Sequence, residues 1–257
     1  YGAPKITAEL RKSGEYVSEK TVGNYMRQMG IKAHWVKPYI QTTIDSDFSQ
    51  KLKNILNEEF NPAHPDAVWC SDMPCIYNVF TAPTFENLVK LSISSYLNVK
   101  GCTISEGFTS VMDLYSRKII SWVLSETLEA SHVVECVEKA KRVRNVEKPL
   151  IFHCDRGCQY VSEAFQKATK GMIHSYSMKA YPWDNACIES FHALLKREWI
   201  NRFKIFNYAH AHKLIFEYIE TFYNTVRIHS HCGYLSPNEY EEQYLENIEE
   251  NAIKIAS

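Results

Sequence analysis

The stretch IFHCDRGCQY, residues 151–160, decides how this chain is read. An apolar run from Leu150 to Phe152 leads into Asp155, and Arg156 and Gly157 follow at once. A strand buried in a sheet gains nothing from a carboxylate unless something pairs with it, because an unpaired buried charge is costly. Asp shortly before Gly is also good turn chemistry, so the decapeptide alone asks for no more than a turn. The rest of the chain has to say what Asp155 faces.

The chain has 257 residues, 45% of them hydrophobic and 23% charged, which suits an ordinary globular protein with a real core. No apolar run approaches the length needed to cross a membrane, and no secretory signal is visible. The first residue is Tyr1 rather than Met, so the sequence is expected to begin inside a longer protein. Eight cysteines are present without a C-x-x-C pair, and a chain this long needs no disulfide staples, so reduced thiols are expected. His210/His212 and His229/His231 form H-x-H pairs without a C-x-x-C partner, a weak zinc signal. Net charge is −1, yet it is unevenly spread. Residues 1–40 carry seven Lys/Arg against three Glu, whereas Glu239 to Glu250 holds six glutamates and no cation. The basic end can meet phosphates, and the acidic end reads as a solvated helix or frayed tail.

Residues 5–30 read as two short helices around a turn. Ile6 and Leu10 edge the first, Gly14 ends it, and Ser18 is a natural N-cap for the second. Val22, Met26 and Met29 line one face of the second helix, while Lys20, Asn24, Arg27 and Gln28 line the other. Cations for phosphate and amides for base edges are what a recognition helix needs, though a plain helical hairpin with a solvated face has the same pattern. A polar helix is expected over 48–60, and NPAHPD (residues 61–66) reads as a linker. Beyond it, AVWCSDMPCI and GFTSVMDLYSRKIISWVL read as strands, the second bending at Leu114–Arg117. Asp113 is then a turn residue. Helix, strand, helix, strand and two long helices follow, the first helix presenting Val133, Val137 and Ala140 on one face. Ser162 and Gly171 bracket a short helix, and Trp183, Asp184 and Asn185 precede the helix that holds Glu189, where Asp and Asn are expected to cap it, with DNA contact the second reading. Three strands followed by alternating helices and strands argue for a mixed sheet covered on its faces. Residues 77–106 fit poorly, and the alternation of Val89, Leu91 and Ile93 suggests an extra hairpin there. Phe216, Tyr218, Phe222 and Tyr223 recur at helical spacing and read as core.

Asp72 in the first strand, Asp155 at a later strand end and Glu189 in the first turns of a helix are each unremarkable alone. Together they make sense as a metal site. Carboxylates crowded together raise one another's pKa, and divalent cations relieve that repulsion. Two such ions about 4 Å apart can activate an attacking oxygen and stabilise a leaving one. His192 and Lys196 lie three and seven positions beyond Glu189 on the same helix face, where they are expected to touch DNA.

These residues resemble the insertion-sequence transposases of the OrfB type, with a retroviral-integrase-like core. YGAPKITAELRKSG and VSEKTVGNYMRQMGI are similar to the family's helix-turn-helix. WCSDMPCI, VMDLYSRKIISW, HCDRGCQYVSEAF and WDNACIESFHALLKRE match its core motifs in order, and YIETFYNTVRIHSHCGYLSPNEY its C-terminal signature. The resemblance implies an α/β, RNase H-like mixed five-stranded sheet with flanking helices after a small all-α module. It implies boundaries at 1–40 (helix-turn-helix), 41–64 (linker helix), 65–235 (catalytic core with an insertion about 77–106) and 236–257 (acidic tail). It assigns catalysis and metal binding to Asp72, Asp155 and Glu189, with Mg²⁺ or Mn²⁺, in two ions. DNA ends and target, a homo-oligomer, the product of an upstream reading frame and a cytoplasmic, nucleoid-associated location are implied as well. Arg227, His229 and His231 belong to the tail signature, where structural hydrogen bonding and phosphate contact both remain open.

Three departures stand out. Asp155 and Glu189 enclose 33 residues, slightly fewer than the family pattern, and Cys158 replaces its usual serine. Pro74 stands where the family has Thr, and a proline within an inner strand removes a ladder donor. With the 77–106 insertion beside it, Pro74 is expected to disturb Asp72, so a decayed copy that only binds DNA is the alternative.

Overall fold

The computed structural model describes residues 1–32, 52–78, 105–146, 149–178 and 181–256. Two compact units result: Asp45–Asn224, and Tyr1–Ile44 with Thr225–Ser257. The larger unit is built on β1 (Val68–Asp72), β2 (Cys75–Asn78), β3 (Ser105–Asp113), β4 (Ile119–Ser125), β5 (Ile151–Cys154) and β6 (Ile173–Tyr176). β3 pairs antiparallel with β4 along one edge and with β1 and β2, in line, along the other. β5 and β6 extend the sheet in parallel from β1. Six segments therefore make the five ribbons of an RNase H-like sheet.

Side-chain alternation sorts the core into two layers. Trp69, Val111, Val123 and Phe152 point to the face covered by α3 (Ala130–Val143) through Val133, Cys136, Val137 and Ala140, and α4 (Glu163–Ala168) adds Phe165. Val68, Cys70, Phe108 and Met112 point to the other face. There they meet Ile188, Phe191 and Leu195 of α5 (Ala186–Glu198), and Leu214 and Ile215 of α6 (Tyr208–Phe216). The helix begun by α6 does not stay α-helical. It widens into a π-helical segment over Glu217–Tyr223, with Tyr218 and Tyr223 buried as expected but Phe216 exposed.

Pro74 does not disturb the ladder. Cys75 lies three positions after Asp72 and its partner Gly107 three before Ser110, so the register passes Pro74 unchanged and shifts only beyond it, between Cys75 and Asn78. The Pro74 carbonyl accepts from the Phe108 amide at 3.1 Å, and only the reciprocal bond is missing. Asn78 pairs with Ser105, so residues 79–104 connect neighbouring strands. The extra hairpin expected around Val89–Ile93 lies outside the described residues.

The helix expected over 48–60 is corrected for its described part: residues 52–60 are irregular. Their polar backbone groups bond to β6 instead. Ile55 and Leu56 amides donate to Ser175 Oγ, each at 2.9 Å, and the Tyr176 amide donates to the Lys53 carbonyl at 3.0 Å. A segment pinned in this way cannot close its own helical bonds.

The smaller unit holds α1 (Ala3–Lys12), α2 (Glu19–Gln28) and α7 (Pro237–Ala256). Ser18 caps α2 by accepting from the Thr21 amide at 3.1 Å, and Gly14 and Gly30 take positive φ after the helices. Val22 and Met26 are buried as expected, whereas Met29 is exposed. Lys5 Nζ donates to the Ile228 carbonyl at 2.8 Å, tying α1 to the segment before α7. The acidic tail is an ordered helix opened by a capping box, in which the Ser236 amide donates to Glu239 Oε2 and the Glu239 amide to Ser236 Oγ. The break between units after Asn224 thus differs from the boundary expected at residue 235.

One buried group sets an acid limit on the fold. His153 Nδ1 bonds the Ser175 hydroxyl at 2.9 Å, and burial pushes its pKa down to about 4 against the opposing pull of Asp184. The unfolded chain binds this proton more readily, so the contribution is complete above about pH 6.5 and drains away towards about pH 4. The stability of the protein relative to a His153→Asn variant falls by roughly 3 kcal/mol between about pH 7.5 and about pH 4. Urea unfolding of both proteins at the two pH values measures it, and a pH-independent difference would refute it.

Candidate active site

The sheet brings two of the three acids side by side. β1 and β5 run parallel with Ser71 opposite Cys154, so Asp72 and Asp155 are the next residues at neighbouring strand ends. Asp72 shares the parity of Val68 and Cys70, whose side chains pack with α5, and Asp155 the parity of Ile151, which packs against that same layer. Glu189 lies in the first turn of α5. Its pKa is pushed up to about 7, first by burial and then by the negative charges of Asp72 and Asp155. Glu189 therefore lies within electrostatic reach of both aspartates. Among the described residues, no group of three His, Cys, Asp or Glu side chains is drawn together closely enough to hold an ion as it stands.

Each of the two aspartates has a local support. The Met73 amide donates to Asp72 Oδ1 at 2.8 Å, and the Gly157 amide to Asp155 Oδ1 at 2.9 Å. A Cβ at Gly157 would lie only 3.0 Å from that same oxygen, so the turn closes beside Asp155 because the residue has no side chain. Arg156 points to other partners, donating to the carbonyls of Ser177 at 2.7 Å and Leu52 at 3.3 Å. Asp184 and Asn185 do not cap α5. Asp184 Oδ2 accepts from the Met178 amide at 2.6 Å and Asn185 Nδ2 donates to the Ser71 carbonyl at 3.3 Å, so Asp184 fastens the helix start to the segment after β6 and Asn185 fastens it to β1. Tyr160 bonds Ser71 Oγ at 2.9 Å, and burial followed by the charge of Asp72 and Asp155 raises its pKa, which keeps the phenol neutral.

The expected DNA-facing residues divide. Lys20, Asn24, Arg27 and Gln28 are exposed on α2, with Arg27 hydrogen-bonded to Asn24. Lys196 is partly buried on α5. His192 is a correction: it is only 4% exposed, bonds Ser110 Oγ through Nε2 at 2.8 Å and turns Nδ1 towards Asp72 Oδ2 at 3.4 Å. Such a side chain is not offered to DNA. The i, i+3 spacing from Glu189 was visible in the sequence, but not which way the helix face points. Asp113 is the last residue of β3, directly before the turn, and accepts from the Asp66 and Tyr115 amides, each at 2.6 Å. A cavity of about 540 Å³ beside Trp122, His132, Tyr208 and His212 is lined by none of the three acids.

Comparison with known proteins bears on this geometry. Integrase core domain profiles match residues 106–182 and 170–237, and an HTH-like domain matches residues 1–39. Asp155 falls in the first core match and Glu189 in the second, while Asp72 precedes both. The transposase for insertion sequence element IS904 of Lactococcus lactis subsp. lactis is 34% identical, over 94% of this chain and 87% of its own length. This chain belongs to the insertion-sequence transposases. Transposase InsF for insertion sequence IS3A of Escherichia coli K12 is 30% identical over 95% of the chain and 78% of its own. A chain of the simian T-cell lymphotropic virus intasome, at 12% identity, covers 94% of the transposase and 70% of its own length with a TM-score of 0.50, a likeness of fold alone. The transposase is thus a DNA-binding polynucleotidyl transferase of the DDE type, a class that depends on divalent metal. No helix among its described residues is long and apolar enough to cross a membrane.

Proposed function

We propose that this transposase cuts the ends of an insertion sequence and joins them to target DNA through Asp72, Asp155 and Glu189. The observation that carries the reading is that Asp72 and Asp155 follow paired residues at adjoining strand ends and that both charges reach Glu189, on the helix packed over them. Hard carboxylate oxygens that repel one another are the donor set that Mg²⁺ or Mn²⁺ takes, and two ions fit the chemistry of phosphoryl transfer. When bound, the ions would lower the pKa of an attacking water and neutralise charge on the scissile phosphate. The chain's own residues hold the site ready for this. Met73 and Gly157 amides each fix one carboxylate oxygen, leaving the other to turn inward. Asn185 ties the start of the Glu189 helix to β1 beside Asp72. The exposed Lys20, Asn24, Arg27 and Gln28 would read the element end, with Lys196 near the cleaved strand. A homo-oligomer on DNA, help from an upstream reading frame and action on the nucleoid in the cytoplasm complete the proposal.

The alternative of an inactive copy drew on Pro74 and on the 77–106 insertion. Pairing of Asp72 with Ser110 and of Cys75 with Gly107 on either side of Pro74 weakens the first ground, and most of the insertion lies outside the described residues. Terminal-repeat DNA with a target duplex tests both readings. Nicking and end joining that require Mg²⁺ and stop with chelator are expected. Nicking without joining would make the protein a nuclease of the same fold, and binding without either reaction a relic.

A further inference from the structure

We infer that His192 is a positioning residue that holds Asp72 in the orientation the metal needs, with Ser110 holding His192 in turn. The inference rests on the assignment of Asp72 proposed above and adds a role to it. Asp72 and Ser110 are direct partners across β1 and β3, so their side chains leave the sheet on one face. His192 comes down on both from α5, one turn after Glu189. Its Nε2 bonds Ser110 Oγ at 2.8 Å, and its ring meets Phe108 edge-on at 5.7 Å and lies 5.4 Å from Phe191. These contacts leave the ring one orientation, and Nδ1 then faces Asp72 Oδ2 at 3.4 Å. Nδ1 is fully buried and has no completed hydrogen bond.

A fully buried nitrogen without a bond is costly, and the layer around it is otherwise apolar. An aromatic hydrocarbon would fill the same volume but leave the buried Ser110 hydroxyl unpaired, so the position calls for ring nitrogens: Nε2 serves Ser110, and Nδ1 is left to face Asp72. Catalytic hydrogen bonds are often long before the site is loaded and tighten afterwards. Asp72 Oδ1 is already held by the Met73 amide, so a donor on Nδ1 gives the carboxylate its second point of support. Carboxylates that ligate metals are commonly held from behind in this way, and losing such a support costs about 10–100-fold in metal affinity or activity.

Two measurements test it. In the metal-free, full-length protein, ¹⁵N shifts of the His192 ring report which nitrogen carries the proton. A proton on Nδ1 is expected, and a bare Nδ1 overturns the proposal. The second measurement is the Mg²⁺ concentration needed for half-maximal strand transfer, and for half of the Mg²⁺-induced rise in Tm. His192→Phe keeps the ring volume and should raise both about 10–100-fold with unchanged affinity for terminal DNA. His192→Asn keeps a donor where Nδ1 stands and should recover most of the loss, and His192→Gln, which reaches only Ser110, should not. Equal Mg²⁺ requirements in His192→Phe and the parent overturn the proposal, as does equal loss in the Asn and Phe variants. Asp72→Asn separates the two levels: if it is inactive while His192→Phe is normal, only the positioning role falls. If Asp72→Asn stays active, the carboxylate assignment falls and takes this inference with it.

Discussion

Glu189→Gln loses strand transfer by about a thousandfold and, in the absence of metal, gives a more stable protein. Both effects have one cause. The Glu189 carboxylate is held half-buried near two other negative groups, which pushes its pKa up to about 7. A carboxyl whose folded pKa lies above its unfolded value holds its proton more tightly in the native state. Stability therefore falls as pH rises from about 4.5 to about 7, and the full penalty is present above that. Water screens a half-exposed group, which leaves about 1–2 kcal/mol of the shift as a stability difference. Gln carries no charge and avoids the penalty, but it also removes the third oxygen ligand. Calorimetry at about pH 8 in chelator should give the variant the higher Tm, and at about pH 4.5 the two should coincide. Added Mg²⁺ should raise the Tm of the parent and leave the variant where it was. A variant less stable than the parent at high pH, or one that still joins DNA ends, would remove Glu189 from the site.

Asp113→Ala should do the reverse, costing about 3 kcal/mol of stability and leaving the chemistry per folded molecule intact. Asp113 is fully buried at the end of β3, and its two oxygens accept from the amides of Asp66 and Tyr115, each at 2.6 Å. Removing it strands both amides, and a buried donor without a partner costs its whole desolvation. The same carboxylate joins the stretch before β1 to the β3–β4 turn, where Arg117 takes a positive φ. Chemical unfolding measures the loss, and strand transfer below the new midpoint, corrected for the folded fraction, should match the parent. A loss of turnover at full folding would make Asp113 a fourth acid of the site. The contrast with Glu189 is physical: one acid is satisfied by backbone donors, and the other is raised by its neighbours.

Much of this was legible along the chain. Ser18, Ser162 and the glycines after α1 and α2 act within four residues of themselves, so their roles as caps and stops needed no tertiary context. The sequence placed Asp155 at a strand end and Glu189 in the first turns of a helix, and put Asp72 within the first strand, which in fact ends at that residue. The misreadings share a cause. The helix expected over 48–60 gave way because Ser175, more than a hundred residues away, takes the amides of Ile55 and Leu56. Asp184 and Asn185 looked like caps from composition, yet their partners are Met178 and Ser71.

By itself, then, the order of residues pointed to the three acids proposed here, to most helix starts and stops, and to the family to which the chain belongs. Those features depend on local periodicity and short-range hydrogen bonds, which a linear string contains. Only the folded chain decided that Pro74 keeps the register and that His192 faces inward to Asp72. Both depend on which strand lies beside which and on the rotation of α5 about its axis, and long-range packing sets these.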